Sequence, residues 1–538
     1  MYSAREFLVN PRDNIFGGIT AAIVALPLAL AFGISSGAGP EAGLYGAIFV
    51  GFFAAIFGGT PSQVSGPTGP MTVVMTAMTA EYIAEFPEQG LALAFTTVIL
   101  GGCLQILIGI LRLGKYIIMV PYPVISGFMT GIGVIIILLE LGPLMGFSGG
   151  GSIIEAIASL PGQITAFNSQ ALIIGLLTLV IIFSWRGRLN RILPAPLLAL
   201  IVATAALWLL FPSSTIERIG HIPSGFPAFH MPHFELSMIQ TMLVNGIMLA
   251  VLGAIDSLLT SLVADNVTGT QHDSDRELIG QGIGNTLAGF FGGLPGAGAT
   301  MRTMVNIRAG GSGPLSGATH ALVLLLIAMG LGFLFESIPL AALAGILIKV
   351  GIDIIDWPFL KRLHRLPVFP VMLMIVVLLL TVFVDLITAV FVGVFVKNLV
   401  TISKLSDLQL GSVVLSDGNR DADLLNEHER ALLSARAGDA LLLRITGPVS
   451  YAVGRGLNRR FKTYNNVKLL LVDLSQANII GISTAMVLEE LISKAQASGV
   501  TLKVIGVHRS AQQELQQLDL ASLVGVENYI PTLEQALQ

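Results

Sequence analysis

Long stretches without a charged side chain dominate the first three quarters of the sequence. No Asp, Glu, Lys or Arg occurs from Asn14 to Pro40 or from Ala42 to Ala80. Between residues 115 and 186 the only charged side chains are Glu140 and Glu155. A bilayer core about 30 Å thick needs roughly 20 apolar residues per spanning helix. The pattern therefore predicts an all-α, polytopic membrane domain over residues 1–402.

The hydrophobic pattern divides this domain into fourteen segments, seven in each half. They lie at about 14–34, 42–58, 67–84, 91–112, 122–145, 171–185, 194–211, 240–263, 278–292, 299–308, 315–334, 337–354, 368–383 and 386–402. Two of them, 67–84 and 299–308, are short and follow Gly/Pro-rich stretches. Neither is expected to cross the bilayer as one continuous helix, so we interpret both as half-helices that begin within the membrane.

The two halves share a short sequence echo. FGGTP at 57–61 precedes the first half-helix, and FGGLP at 291–295 precedes the second, 291 − 57 = 234 residues later. Seven segments per copy is an odd number, so the second copy is predicted to be inverted in the membrane. Interrupted segments at matching positions of two repeats indicate a transporter's substrate site. Repeat 1 covers about 14–211 and repeat 2 about 240–402.

Basic residues fall on one side of the membrane under this segmentation. They follow segments four, six, ten and twelve: Arg112 and Lys115; Arg186, Arg188 and Arg191; Arg308; and Lys361, Arg362 and Arg365. Loops rich in Lys and Arg are cytoplasmic. We therefore expect a multi-pass protein of the cell's inner (plasma) membrane with cytoplasmic N- and C-termini.

The sequence changes character after residue 402. Residues 403–437 are polar and charged, which predicts a linker with a short helix at Asn426–Ala435. Beyond it, apolar strand-like runs at 440–446, 467–474 and 502–507 alternate with helical stretches at about 483–498 and 510–518. This alternation predicts a small α/β domain over 438–538.

Composition excludes a soluble protein and offers no enzyme chemistry. Of the 538 residues, 54% are hydrophobic and only 12% are charged, too few to cover a soluble surface. The sequence has no phosphate-cradling glycine loop before a helix, no metal-spaced His/Cys cluster and no ATP-binding signature. We expect no enzymatic activity, no cofactor and no nucleic-acid partner. Transport would run on ion gradients, or the pore would be passive.

Asp256 and Thr260 are polar residues within the eighth segment, four residues apart and so on one helix face. A carboxylate near the bilayer centre costs about 2.5–3.5 kcal/mol, so it usually faces a cavity or a partner. A carboxylate with a hydroxyl oxygen suits Na⁺ or a proton. A structural salt bridge, or a position near the cytoplasmic helix end, is the alternative interpretation.

The two half-helices predict an anion site. Each presents unpaired backbone N–H groups and the positive end of its dipole, and Thr68 and Thr300 add hydroxyl donors. Carbonyls of the unwound stretch before Thr300 could face a cation held by Asp256, which would place anion and cation side by side for symport. Arg302 has two interpretations: it strengthens the anion field, or it balances a carboxylate such as Glu140.

Several motifs resemble the sulfate permease family, also called solute carrier family 26. They are GGIT at 17–20 with Leu26-Pro27, GLY at 43–45, the Gly66-Pro67-Thr68 segment, and VDLS at 472–475 in a C-terminal domain similar to STAS domains. The resemblance covers nearly the whole chain. It implies a fold of seven-plus-seven inverted repeats with core and gate domains, and a homodimer, expected through the STAS domain.

Within the family the sequence is most similar to cyanobacterial bicarbonate transporters. LPLALAFG at 26–33, GAGATMRT at 296–303 and GAIDSLLT at 253–260 carry this similarity. It implies that Asp256, Thr260, Gly298 and Thr300 hold Na⁺. It also implies that Thr68, Ala299 and Thr300 contact bicarbonate, with Arg302 as a further candidate for the anion.

We therefore expect Na⁺-coupled bicarbonate symport into the cell by elevator-like alternating access. Many sulfate-type members carry Gln directly after the first-segment Pro, where this chain has Leu28. That difference favours a smaller monoanion, although a sulfate or dicarboxylate transporter with Na⁺ or proton coupling stays open. An uncoupled anion channel is the alternative of another class, and Asp256 beside the anion site argues against it.

Overall fold

The computed structural model describes most of the chain. The described residues are 7, 9–117, 120–148, 153–185, 193–222, 225–384, 386–411, 413–419, 425–436, 439–449, 467–480, 482–506, 524–525 and 528–537. Within them the chain divides into two compact units, Met1–Val394 and Phe395–Gln538. The basic cluster at 186–191 and the predicted helix at 510–518 lie outside the described residues.

A helix occupies each of the fourteen hydrophobic segments. Helices α1 to α8 are Pro11–Ser35, Pro40–Phe57, Gly69–Glu85, Gly90–Ile110, Tyr122–Leu144, Ile153–Thr165, Ser169–Ser184 and Ala195–Leu210. Helices α9 to α15 are Ile239–Thr268, Ser274–Phe290, Thr300–Arg308, Pro314–Gly330, Leu340–Ile354, Val368–Phe383 and Leu386–Gly411. Short helical turns lie at Gly114–Ile117, Leu236–Met238, Gly332–Leu334, Trp357–Leu360 and Leu363–Arg365.

Not every helix is long enough to cross a bilayer alone. Among the described residues, six helices have the length and hydropathy of a span: Pro11–Ser35, Pro40–Phe57, Gly90–Ile110, Tyr122–Leu144, Leu236–Thr268 and Thr388–Leu405. The pair α6 and α7, bent by 112°, makes a seventh candidate. Helix α6 was not predicted, because its thirteen residues mix apolar and polar side chains without a long apolar run, and none is buried. The count of fourteen segments and their inverted arrangement stay predictions.

The two interrupted segments meet each other inside this unit. Strand β1 (Ser65–Gly66) precedes α3, strand β2 (Ala297–Gly298) precedes α11, and the two pair antiparallel with Ser65 opposite Gly298. Glycine is required here because a Cβ on Gly296 would lie 2.5 Å from the Gly66 backbone. Helix α11 has nine residues, about 14 Å of helix, so it cannot cross a bilayer core about 30 Å thick.

The C-terminal unit contains a five-stranded sheet. Its strands are β3 (Val413–Ser416), β4 (Ala440–Val449), β5 (Leu469–Ile480), β6 (Thr501–Ile505) and β7 (Tyr529–Ile530), in that spatial order. β3 runs antiparallel to β4, and the other neighbours are parallel. Helices α16 (Glu427–Ser434), α17 (Ile482–Ala497) and α18 (Leu533–Leu537) accompany it. Apolar side chains of β4, β5 and β6 form its core.

The segment 403–437 is more structured than a linker. Helix α15 continues to Gly411, and Val413–Ser416 forms an edge strand of the sheet. The sequence hides this strand because only four residues pair and polar residues flank it. The short helix expected at Asn426–Ala435 is present as α16, with Asn426 and Glu429 forming a capping box.

Arg444 of β4 joins two carboxylates in the C-terminal unit. Its guanidinium donates to Glu429 Oε1 at 2.6 Å and, through Nε, to Asp473 Oδ2 at 2.7 Å. The Arg444 hydrogen bond lowers the pKa of Glu429 below its usual 4.5. Because this pKa is depressed by folding, its contribution to stability is present above about pH 4.5 and is lost as the pH falls further.

Replacing Arg444 by Met is expected to destabilise this unit by on the order of 3 kcal/mol, because Asp473 stays buried without its cation. Hydrogen exchange of β4 and β5 in full-length protein under increasing urea measures the change. Lys468→Met is the matched control, since Lys468 and its partner Asp439 are 75% and 49% exposed. The control is expected to change stability by less than about 1 kcal/mol. Equal effects of the two substitutions would contradict this assignment.

Candidate ion-binding site

Helix α9 brings three polar side chains to the interrupted segments. Asp256, Ser257 and Thr260 are all buried within this membrane helix. Ser257 Oγ accepts a hydrogen bond from Gly298 N at 3.1 Å, which attaches the helix to β2. The predicted shared face of Asp256 and Thr260 therefore lies at the segment before α11.

Thr260 is the centre of an oxygen cluster. Its hydroxyl donates to the Gly298 carbonyl at 2.8 Å and lies 2.7 Å from Thr300 Oγ1. Of the four oxygen groups expected to hold Na⁺, the Thr260 hydroxyl thus contacts two others. Asp256 is one helical turn away on the same face of α9. Oxygen atoms of a carboxylate, hydroxyls and a carbonyl are the ligands that a hard cation prefers.

The two half-helices begin beside this cluster. Thr68 and Ala299 are extended residues that immediately precede α3 and α11, and neither side chain caps its helix. The first backbone N–H groups of each helix therefore have no intrahelical partner. Pro70 favours a helix start at α3 because its fixed φ suits the first turn and its missing N–H costs nothing there.

Two buried oxygen atoms at this place lack hydrogen bonds. Asp256 lies beside the Thr68 hydroxyl. Within the described part of the chain, however, neither Asp256 Oδ2 nor Thr68 Oγ1 has a partner in hydrogen-bonding geometry. Buried polar atoms are nearly always paired, and these two are close enough to pair with each other or with a species bound between the half-helices. One is an acceptor that suits a cation, and the other can donate to an anion.

Arg302 is fully buried and holds the first half-helix. Its Nη2 donates to the Pro67 carbonyl at 2.9 Å, directly before Thr68. Among the described ion pairs none joins Arg302 to a carboxylate, so a direct pair with Glu140 is not seen, and its balancing role stays a prediction. Glu140 instead lines a cavity of about 230 Å³ with Ser35 and Thr76. Arg302 adds positive charge where α3 begins, and contact with an anion stays a prediction.

The sequence pattern did not lead us to predict a polar face on α10. Glu277, Gln281 and Asn285 are buried and four residues apart, so they share one side of the helix. Glu277 and Gln281 bind the segment before α3, and Asn285 binds the segment before α11. The signal was present as E-x3-Q-x3-N, but the predicted segment began at residue 278 and left Glu277 outside the membrane.

This geometry can hold opposite charges next to each other. Backbone N–H groups of two helix starts favour an anion, and Asp256 with the Thr260 cluster favours a cation. Among the described residues no three His, Cys, Asp or Glu side chains come together, and Asp256 is the candidate acidic ligand of the cluster. One carboxylate with neutral oxygens suits a monovalent hard cation.

Two families match the chain over most of its length. Residues 12–377 match the Sulfate permease family, and residues 433–536 match the STAS domain. The bicarbonate transporter BicA of Picosynechococcus sp. is 44% identical over 534 residues, covering 98% of this chain and 94% of that protein.

Solved structures agree with these matches. The transmembrane domain of a cyanobacterium bicarbonate transporter BicA is 51% identical with a TM-score of 0.67, covering 70% of this chain and 97% of that one. The overall structure of SLC26A9 is 17% identical with a TM-score of 0.82, covering 100% of this chain and 90% of that one. The latter likeness concerns the fold alone.

Proposed function

The chain belongs to the sulfate permease family, and on that premise we propose that it is a Na⁺-coupled bicarbonate symporter working by alternating access. Family membership makes it a multi-pass membrane transporter of anions and not an enzyme. Bicarbonate is supported by the 44% identity to a protein named as a bicarbonate transporter over 98% of this chain. The Na⁺ coupling rests on the chemistry of the site.

One observation carries the proposal: Asp256 is buried beside Thr68 at one half-helix start, on the helix whose Thr260 contacts Thr300 of the other, and has no cationic partner among the described residues. A carboxylate there repels an anion unless a cation neutralises it. At 4 Å two unit charges interact by about 4 kcal/mol at an effective dielectric constant of 20. Binding Na⁺ at Asp256 would convert this repulsion into attraction. Each ion then favours the binding of the other, which is the thermodynamic requirement for symport.

The two ions would use neighbouring ligands. Na⁺ would be held by the Asp256 carboxylate, the Thr260 and Thr300 hydroxyls and the Gly298 carbonyl. The anion would accept hydrogen bonds from the Thr68 and Thr300 hydroxyls and from backbone N–H groups that follow Thr68 and Ala299. Arg302 would strengthen the positive field without touching Na⁺. Thr300 would serve both ions.

The transport cycle we propose is elevator-like. The fourteen segments would form two inverted repeats of seven, about 14–211 and 240–402, which divide into core and gate domains. The core would carry the site past the gate. Positively charged loops would lie in the cytoplasm with both termini, and the bilayer would be the plasma membrane.

Uptake into sealed proteoliposomes tests this function. Labelled bicarbonate is expected to enter faster with an inward Na⁺ gradient than with an equal K⁺ gradient, and labelled sulfate is expected not to respond. Na⁺-stimulated sulfate uptake without bicarbonate uptake would identify the alternative sulfate transporter. Conductive bicarbonate flux that does not depend on the Na⁺ gradient would instead identify an anion channel.

We also propose that the protein is a homodimer joined through its C-terminal domain. Removing residues 437–538 is expected to weaken or abolish dimerisation while the membrane domain still inserts. Four of the five strands of the C-terminal sheet lie within 437–538, whereas the residues of the proposed ion site lie between 68 and 302, so the ion site is expected to stay intact. Light scattering of detergent-solubilised full-length and truncated protein measures the change. A truncated protein as dimeric as the full chain would place the contact in the membrane domain.

A further inference from the structure

Glu277 of α10 is a buried carboxylate whose oxygens are fully engaged. Oε2 accepts hydrogen bonds from the backbone N–H groups of Gly59 and Thr60, each at 2.9 Å. Oε1 accepts from Gln63 Nε2 at 2.7 Å and from Gln281 Nε2 at 2.8 Å. Four donors from two elements therefore converge on one carboxylate. This pattern leaves no site on Glu277 for a transported cation.

Gln63 extends this contact to the helix that carries Asp256. Its Oε1 accepts from Ser261 Oγ of α9 at 3.1 Å, and the same hydroxyl lies 2.7 Å from Thr60 Oγ1. The amide also packs against β2, because a Cβ on Gly298 would lie 2.4 Å from Gln63 Nε2. Gln63 thus bridges α9 and α10 next to a carbonyl expected to bind Na⁺.

The same helix face holds the second interrupted segment. Asn285 Oδ1 accepts from Gly296 N at 2.7 Å, and Asn285 Nδ2 donates to Gly296 O at 3.0 Å. The Asn285 side chain thus makes with Gly296 the same two hydrogen bonds that a paired residue of a neighbouring strand would make. One turn earlier, Gln281 Nε2 donates to Ser65 Oγ at 2.6 Å, so α10 contacts both β1 and the approach to β2.

We propose that Glu277 and Gln63 form a positioning pair that fixes the first half-helix relative to the cation-binding helix α9. The proposal rests on the proposed function for its transport readout, but its structural part is independent of the substrate. Neither residue touches the transported ions. They act through the loop 59–66, which sets where Thr68 and the N-terminus of α3 lie. Both bicarbonate affinity and Na⁺ affinity should depend on this placement.

The hydrogen-bond pattern predicts that Gln is a poor replacement for Glu277. Gln has nearly the same shape, but one of its two terminal atoms is an NH₂ donor. With the Gln63 and Gln281 amides oriented as in the structure, this NH₂ group would face two donors, either those two amides or the Gly59 and Thr60 N–H groups. Leaving buried donors unpaired is more costly than losing one average hydrogen bond. Glu277→Gln should therefore break two of the four hydrogen bonds at this position and loosen the loop 59–66.

Exchanging the two side chains restores most of the pattern. In the double variant Glu277→Gln with Gln63→Glu, residue 277 can accept from the Gly59 and Thr60 amides and donate to the new carboxylate at 63. That carboxylate also accepts from Ser261. Gln281 keeps its bond to Ser65 Oγ. Gln63→Glu alone instead places two carboxylates in contact and should be the most damaging of the three.

Two readouts test the pair in full-length protein. The first is hydrogen exchange of residues 59–66 in detergent, which needs no substrate. The second is bicarbonate uptake as a function of bicarbonate and of Na⁺ concentration. We expect both single variants to exchange faster in this loop and to raise both half-saturation concentrations by about tenfold or more, with a smaller change in maximal rate. The double variant should return to within about threefold of the wild type.

Glu88→Gln is the matched control. It lies in the exposed loop after α3 and should behave as wild type in both readouts. Unchanged loop exchange in Glu277→Gln, or a double variant no better than the single ones, would overturn the proposal. If Glu277→Gln yields no folded protein, recovery of folded protein by adding Gln63→Glu supports the pair, and no recovery overturns it. If wild-type bicarbonate uptake does not depend on Na⁺, the proposed function is wrong. Hydrogen exchange of residues 59–66 still tests this inference, because that measurement needs no substrate.

Discussion

Replacing Asp256 by Asn is expected to abolish Na⁺-stimulated bicarbonate uptake while the protein still folds and inserts. Asp256 is the one carboxylate beside the half-helix starts, and its Oδ2 has no hydrogen-bond partner among the described residues. Even the outer-shell partners of metal ligands contribute roughly 10–100-fold to affinity. Loss of a direct anionic ligand should therefore lower Na⁺ affinity by more than about a hundredfold. The isosteric amide keeps the packing of α9.

Na⁺ activation curves of uptake in proteoliposomes measure this effect. Asp439→Asn is the control, because Asp439 is half exposed and belongs to the C-terminal unit. It should leave the activation curve unchanged. Wild-type Na⁺ dependence in Asp256→Asn would remove the cation assignment. Loss of uptake together with loss of folded protein in Asp256→Asn would show instead that Asp256 is structural.

Thr68→Ala and Thr300→Ala are each expected to weaken anion binding by about tenfold or more. A net hydrogen bond from a hydroxyl to a charged group contributes about 1.5–3 kcal/mol. Thr→Ser at either position keeps the donor and should be much milder. The two sites differ in their effect on Na⁺. Thr300 Oγ1 lies 2.7 Å from Thr260 Oγ1, so its loss should also raise the Na⁺ half-saturation concentration directly.

Apparent bicarbonate affinity and Na⁺ activation in the four variants separate these effects. Thr68→Ala should change Na⁺ activation only through the coupled anion. Unchanged bicarbonate affinity in both alanine variants would mean that backbone N–H groups alone hold the anion, or that the site lies elsewhere. Equal Na⁺ shifts in both would contradict the shared role of Thr300.

Hydropathy predicted most of the membrane helices because their segments are long apolar runs between Gly, Pro or charged residues. Hydropathy did not predict helix α6, where the exposed Ile154, Ile157 and Ile164 are interspersed with polar and small residues and no residue is buried. It also missed β3, because a four-residue edge strand has too few side chains to show a period of two. Local pattern decides long elements, whereas short ones form through tertiary pairing.

The four-residue spacing predicted that Asp256 and Thr260 share a helix face. The Gly/Pro-rich interruptions identified Thr68 and Thr300 as candidate site residues. The structure places Thr260, Gly298 and Thr300 in one cluster, as the resemblance implied. The bond from Arg302 to the Pro67 carbonyl could not be predicted, since it joins residues 235 positions apart. The contacts of Glu277 were hidden for the same reason: three of its four donors, on Gly59, Thr60 and Gln63, lie more than 210 residues earlier in the chain.

The most direct test of coupling is uphill accumulation. Proteoliposomes hold equal bicarbonate inside and outside, the membrane potential is clamped, and only an inward Na⁺ gradient is imposed. Coupled symport predicts that internal bicarbonate rises above the external concentration and that reversing the gradient drives it out. Internal bicarbonate that stays equal to the external concentration under either gradient would contradict Na⁺-coupled symport.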